Sequence, residues 1–179
     1  MIQHVEVVDY DPIWPERFRS LRDILWPVVK DLAIGIEHVG STSVLGLASK
    51  PIIDLDIIVP QARLQETINR LVALGYVHEG DLGIEGREAF KALRSSPRHH
   101  LYVCVEGCPS LQNHLLLRDY LRRNPTACRE YSGLKKGLAA RFSHSVEEYT
   151  KRKTDFILST LASAGLETKR LEAIKLKGS

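Results

Sequence analysis

The chain has 179 residues, enough for one domain with a substantial core, or for one domain with a helical appendage. Its hydrophobic fraction of 44% and charged fraction of 26% are ordinary for a globular protein and exclude disorder as the organising principle. Net charge is +3, and the only basic run is a mild one between Lys169 and Lys177, which argues against a dedicated nucleic-acid binder.

No stretch approaches the roughly 20 apolar residues of a bilayer span, and the N-terminus lacks a signal-peptide pattern, so a cytoplasmic location is expected. Cys104, Cys108 and Cys128 form an odd set, as in a compartment where thiols stay reduced. Cys104 and Cys108 lie close in sequence to His99, His100 and His114, but their spacing is a loose match to zinc ligands, and buried apolar thiols are the favoured reading.

In chain order, Val5, Val7 and Val8 suggest a short strand, and Asp11 with Pro12 a turn. Trp14, Phe18, Leu21, Leu25, Val28, Val29 and Leu32 fall at helical spacing, with Pro15 in the first turn and Pro27 placed to kink the helix or split it in two. Ala33 to Val39 reads as a strand leading into Gly40, and a short helix capped by Ser41 or Thr42 is expected next. Ile52 to Val59 reads as a buried strand ended by Pro60, and Leu64, Ile68, Leu71 and Val72 as a helix closed by Gly75. Strands are expected at Tyr76 to His78, Glu88 to Leu93 and His100 to Val105, with a glycine-rich loop at Gly80 to Gly86. From Ser110 the pattern is helical: Leu111 to Arg123, a helix through Tyr131 and Phe142, and one from Val146 through Leu161, with Asn124 and Pro125 separating the first two. This order gives an α+β layout, with a mixed α/β core over residues 1–106 and a helical extension over 107–179 within a single domain.

The chemistry concentrates between residues 37 and 59. Asp54 and Asp56 interrupt an apolar strand; side chains alternate along a strand, so both acids share one face with Cα atoms about 6.6 Å apart, close enough to share one hard cation. Upstream, Gly40 and Ser41 offer backbone N–H groups and a hydroxyl to an anion at an expected helix start. A phosphate grip followed by a metal-binding carboxylate pair is what phosphoryl or nucleotidyl transfer needs.

Gly40, Ser41 and the Asp54, Leu55, Asp56 strand resemble the core signature of the nucleotidyltransferase superfamily related to DNA polymerase beta. More closely, GSTSVLGLASKPIIDLDIIV, GREAF at Gly86 to Phe90, HHLYV at His99 to Val103, LRDYLRRNP at Leu117 to Pro125 and the later YTKRKTDFI resemble the GrpB-like family of predicted nucleotidyltransferases, also called UPF0157. The resemblance spans about residues 5 to 160.

It implies a nucleotidyltransferase-like mixed β-sheet with flanking helices. It also implies transfer of a nucleoside monophosphate from a nucleoside triphosphate to a hydroxyl acceptor, with Mg2+ or Mn2+ as cofactor. The expected partners are a nucleotide and a small-molecule acceptor rather than a membrane or a nucleic acid. Gly40 and Ser41 would hold the phosphates, and Asp54 and Asp56 would bind the metal. The superfamily's third acid belongs on a neighbouring strand, where this sequence has His100, with Tyr102 beyond it; His100 is therefore the candidate third metal-binding and catalytic residue, and Glu88 and Glu106 the acids able to substitute. Lys50, Arg87, Arg94 and Lys153 are candidate phosphate contacts, whereas Arg118, Asp119 and Arg122 fit a structural ion-pair network. Because a carboxylate is missing at the third position, a catalytically impaired nucleotide- or CoA-type binding module of the same fold stands as the alternative.

Overall fold

The computed structural model describes residues 5–91, 97–168 and 171–172. The described elements are a mixed five-stranded sheet and five α-helices, the expected α+β class. The strands are β1 (Gly35–Val39), β2 (Ile53–Val59), β3 (Val77–Gly80), β4 (Arg87–Lys91) and β5 (His99–Val105). The helices are α1 (Trp14–Val29), α2 (Leu64–Ala73), α3 (Pro109–Arg123), α4 (Pro125–Arg141) and α5 (Val146–Ser163). Contacts group the chain into two compact units: one of Pro12–Ser43 with Ile52–Leu115, the other of Met1–Asp11, Val44–Pro51 and Leu116–Ser179.

The first unit contains the whole sheet, in the order β1-β2-β5-β4-β3. β2 pairs antiparallel with β1 and parallel with β5, which puts the acidic strand inside the sheet with both ladders satisfied. Its alternation sorts the residues cleanly. Ile53, Leu55, Ile57 and Val59 are fully buried, in register with His99, Leu101, Val103 and Val105 of β5. Asp54, Asp56 and Ile58 point the other way, in register with His100, Tyr102 and Cys104.

α1 lies against β1, β2 and α2, and α2 against β3 and β5. Trp14, Leu21, Leu25 and Val29 form the buried stripe of α1, and Ile68 and Leu71 that of α2. Pro27 sits inside α1, which ends at Val29 rather than running on to Leu32. Leu101 lies at the centre of this packing and is completely buried. Leu101→Ala is expected to cost about 2–5 kcal/mol in urea unfolding through lost burial and the cavity left behind.

In the second unit α4 lies against α5, with Tyr131 and Phe156 stacked at 4.5 Å between ring centroids. Val44, Leu47, Leu121, Cys128 and Tyr131 form one apolar cluster there, and Val5, Ala139 and Tyr149 another. Ser145 caps α5 by accepting the Glu148 N–H.

Three expectations need correction. The residues after Ser41 form only a three-residue 3-10 turn, Ser41–Ser43, because the Ser43 hydroxyl folds back to donate to the Gly40 carbonyl at 2.6 Å and competes with helix propagation. Val5 to Val8 make no strand; Val8 forms an isolated antiparallel bridge with Ser49. The strand expected over Glu88 to Leu93 begins at Arg87 and its described part ends at Lys91, with Leu93 outside the described residues. Among the described residues no helix is long and apolar enough to cross a membrane.

Candidate active site

The site grows from the polar face of β2. Asp54 lies at the register level of Val39 on β1 and His100 on β5; Asp56 lies level with Glu37 and Tyr102. The two carboxylates have different surroundings. Asp54 keeps 26% of its side-chain surface exposed, whereas that of Asp56 is completely buried.

Each is held by one imidazole. His100 Nδ1 donates to Asp54 Oδ1 at 2.8 Å, and His114 Nδ1 donates to Asp56 Oδ2 at 2.7 Å. Burial opposes the charged form of His114, but the hydrogen bond and charge of Asp56, together with the charge of Asp54, outweigh it and hold this imidazole above its ordinary pKa. The second oxygen of Asp56, Oδ1, is buried without a hydrogen-bond partner.

Gly40 has φ of +68°, and a Cβ there would run into the Asp54 carboxylate, so the turn and the acid are in close contact. This turn is pinned by its neighbours. The Thr42 hydroxyl donates to the Ile52 carbonyl at 3.3 Å, so the contact at 3.0 Å between Thr42 Oγ1 and His38 Nε2 must have the imidazole N–H as donor. The buried His38 ring in turn stacks on Phe18, with centroids 4.6 Å apart. The Gly40 and Ser41 turn has no helix dipole behind it, and its Thr42 and Ser43 hydroxyls are committed to the Ile52 and Gly40 carbonyls.

On the flank, the Arg87 guanidinium lies over the Tyr102 ring at 4.6 Å, and its Nε is buried without a partner. Burial, with the charge of Asp54, pushes the Tyr102 phenol up to about 12, so it stays protonated. α3 closes the same side of the sheet: its first turns pack Leu111 and Leu115 against Ile58, Tyr102, Cys104 and Cys108. That packing carries His114 to Asp56.

The structure thus brings Gly40, Asp54, Asp56 and His100 together and adds Arg87 through Tyr102. His100 is hydrogen-bonded to Asp54 through Nδ1. Among the described residues no group of three or more His, Cys, Asp or Glu side chains is arranged to hold a metal ion.

Glu88 does not take the third-acid position. It lies level with Val103, on the face opposite Asp54 and Asp56, and accepts a hydrogen bond from His78 Nε2 at 2.7 Å. Glu106 is exposed in the turn after β5. In the other unit, Lys50 and Lys153 stand over the Tyr149 ring, 5.8 and 5.3 Å from its centroid. Arg118 and Arg122 both approach Asp119 Oδ1 within α3, at 2.7 and 3.9 Å. Arg94 lies outside the described residues.

Two residues are not assigned to this site by the sequence, although His114 stands near Cys104 and Cys108 in it. His114 carried a faint signal, a polar residue at the helical spacing of Leu111 and Leu115. Glu37 shares the alternation of Val39, but only the strand pairing puts it beside Asp56.

A profile of the family described as GrpB protein matches residues 4–163. The chain belongs to the GrpB protein family. Its relative YqkA, a UPF0157 protein from Bacillus subtilis, is 37% identical over 154 residues, which are 86% of this chain but only 45% of YqkA. The crystal structure of the conserved protein GrpB from Enterococcus faecalis matches at a TM-score of 0.80 and 32% identity, covering 89% of this chain and 96% of that one. The Cid1 poly(U) polymerase, solved with Mg and 3'-dATP bound, matches at a TM-score of 0.56 and 15% identity over 85% of this chain and 49% of its own. At that identity the likeness is one of fold alone.

Proposed function

We propose that this GrpB chain is a divalent-cation-dependent nucleotidyltransferase. It would move a nucleoside monophosphate from a nucleoside triphosphate to a hydroxyl acceptor. The observation that carries this reading is the pair Asp54 and Asp56 beside the Gly40 turn, with one oxygen of the fully buried Asp56 lacking any partner.

A bare, buried carboxylate oxygen next to a second carboxylate suits a hard cation. The lack of a third protein ligand suits Mg2+ in particular, which is commonly held by one or two carboxylates together with waters and substrate phosphates. Asp54 and Asp56 would hold this cation, which when bound supplies charge neutralisation on the phosphate oxygens.

The chain's own residues do the rest. The Gly40 and Ser41 turn receives the phosphates through backbone N–H groups and the serine hydroxyl, and Arg87 offers a guanidinium fork. His100 keeps Asp54 in one orientation, a holding role in place of the ligand role expected from the sequence. The acceptor oxygen forms a bond to the α-phosphorus as the bond to the bridging oxygen breaks; pyrophosphate leaves, and the acceptor's proton passes to solvent.

The test is incubation of the purified chain with each nucleoside triphosphate, Mg2+ or Mn2+, and a panel of hydroxyl acceptors, with pyrophosphate release as the readout. Release that depends on both cation and acceptor is expected. A second reading, a nucleotide- or CoA-type binding module without transfer activity, is favoured by one observation: β5 presents His100 and Tyr102 where an acid would stand. Calorimetric binding without pyrophosphate release across the panel would select it, and failure to bind any nucleotide or CoA-type ligand would remove both.

A further inference from the structure

We propose that His114 is a positioning residue. Its Nδ1–H bond to Asp56 Oδ2 fixes the buried carboxylate so that Oδ1 is presented to a divalent cation, and this sets the cation affinity of the site. The inference deepens the nucleotidyltransferase reading and rests on it.

The argument begins with the isolation of Asp56. Its side chain is completely buried, and its two oxygens are unequal in their protein partners: Oδ2 has His114 at 2.7 Å and Oδ1 has none. Tyr102 and Glu37, its register neighbours on either side, supply no hydrogen bond to Oδ1. The bond to Oδ2 is therefore the contact that decides which oxygen remains open.

Its donor comes from α3, outside the sheet, and α3 is placed with little freedom. The turn out of β5 is closed by Glu106 N–H to the Val59 carbonyl at 2.9 Å and by Cys108 N–H to the Val105 carbonyl at 3.0 Å. Gln112 Nε2 donates to the Gly107 carbonyl at 2.9 Å, and Leu111 and Leu115 pack on Cys104 and Ile58. His114 is thus anchored on both sides along its helix.

The residue type matters as well. An imidazole Nδ1–H satisfies one oxygen through a short, stiff side chain, whereas Lys or Arg would bring a permanent positive charge to compete with a cation. Partners of metal-binding groups commonly set affinity in this way.

The test titrates Mn2+ into the full chain, followed by water-proton relaxation, alongside thermal unfolding of each variant. His114→Ala is expected to weaken Mn2+ binding about 10- to 100-fold. His114→Asn should recover most of the loss, because its amide N–H falls where Nδ1 stands, and His114→Gln, which reaches further, should not. A folded His114→Ala with wild-type Mn2+ affinity overturns the inference and leaves the functional reading standing. Should His114→Ala fail to fold, equal Mn2+ affinities for the Asn and Gln variants overturn it. A wild-type chain that binds no Mn2+ overturns the functional reading itself, and this inference with it.

Discussion

Asp54→Asn combined with Asp56→Asn is expected to abolish cation-dependent nucleotide binding while leaving the fold intact. Both positions lie on the polar face of β2, which makes its ladders through backbone groups the substitution does not touch. Asn is nearly isosteric with Asp, and its side-chain oxygen can still accept from His114 at position 56 and from His100 at position 54. What disappears is negative charge. At Asp56 the buried charge goes while the Asn oxygen keeps the His114 bond, so the unliganded variant should still unfold cooperatively, with a melting temperature lowered modestly by the lost pair. The cation loses its two anionic partners, several kcal/mol of interaction. Calorimetric titration of ATP in the presence of Mn2+ should therefore show an affinity loss of about 100-fold or more. Thermal unfolding gives an independent readout. Ligand at 100 times its Kd stabilises a native state by about 2.7 kcal/mol, and the double variant should lose that increment entirely. Wild-type affinity in the double variant would remove Asp54 and Asp56 from the site.

Much of this was visible in the sequence because period and punctuation are local. The run Ile53, Leu55, Ile57, Val59 with Asp54 and Asp56 between reads as one strand with a buried and a polar row, and the structure keeps that sorting. The stripe of Trp14, Leu21, Leu25 and Val29 likewise fixes the buried side of α1. Expectations failed where competing local bonds or long-range register decide.

The turn after Gly40 does not become an α-helix because Ser43 turns its hydroxyl onto the Gly40 carbonyl, and the stretch beyond leads to the bridge between Ser49 and Val8. Glu88 is one residue from Arg87 and Ala89, and that single step puts it on the other face of the sheet. His114 was the hardest to find. It is 58 positions from Asp56, and the contact exists only once β5, its closing turn and the packing of Leu111 have placed α3. Spacing in sequence states what a strand offers to each face; it does not state which helix will cover that face.

Gly40→Ala carries the second large expected effect, and it separates backbone strain from loss of the site. At φ of +68° an L-residue is strained whatever the available space, at roughly 1–2 kcal/mol. Gly46 supplies the control, since its φ is +78° with nothing within 4 Å of an added Cβ. Gly46→Ala should therefore show the backbone cost alone in urea unfolding. At position 40 the added methyl also meets the Asp54 side chain, whose own Cβ would lie only 3.0 Å away. Rotating the Asp54 carboxylate aside cannot relieve that contact, because the Asp54 Cβ is fixed by β2 in register with Val39 and His100. The turn must move off the strand, or Asp54 must give up its bond with His100; either outcome separates the Gly40 turn from Asp54. Nucleotide affinity with Mn2+ is expected to fall at least tenfold for Gly40→Ala and to stay near wild type for Gly46→Ala, with the stability of Gly40→Ala reduced by more than that of the control. Equal affinities for the two variants would show that contact between Gly40 and Asp54 has no part in ligand binding.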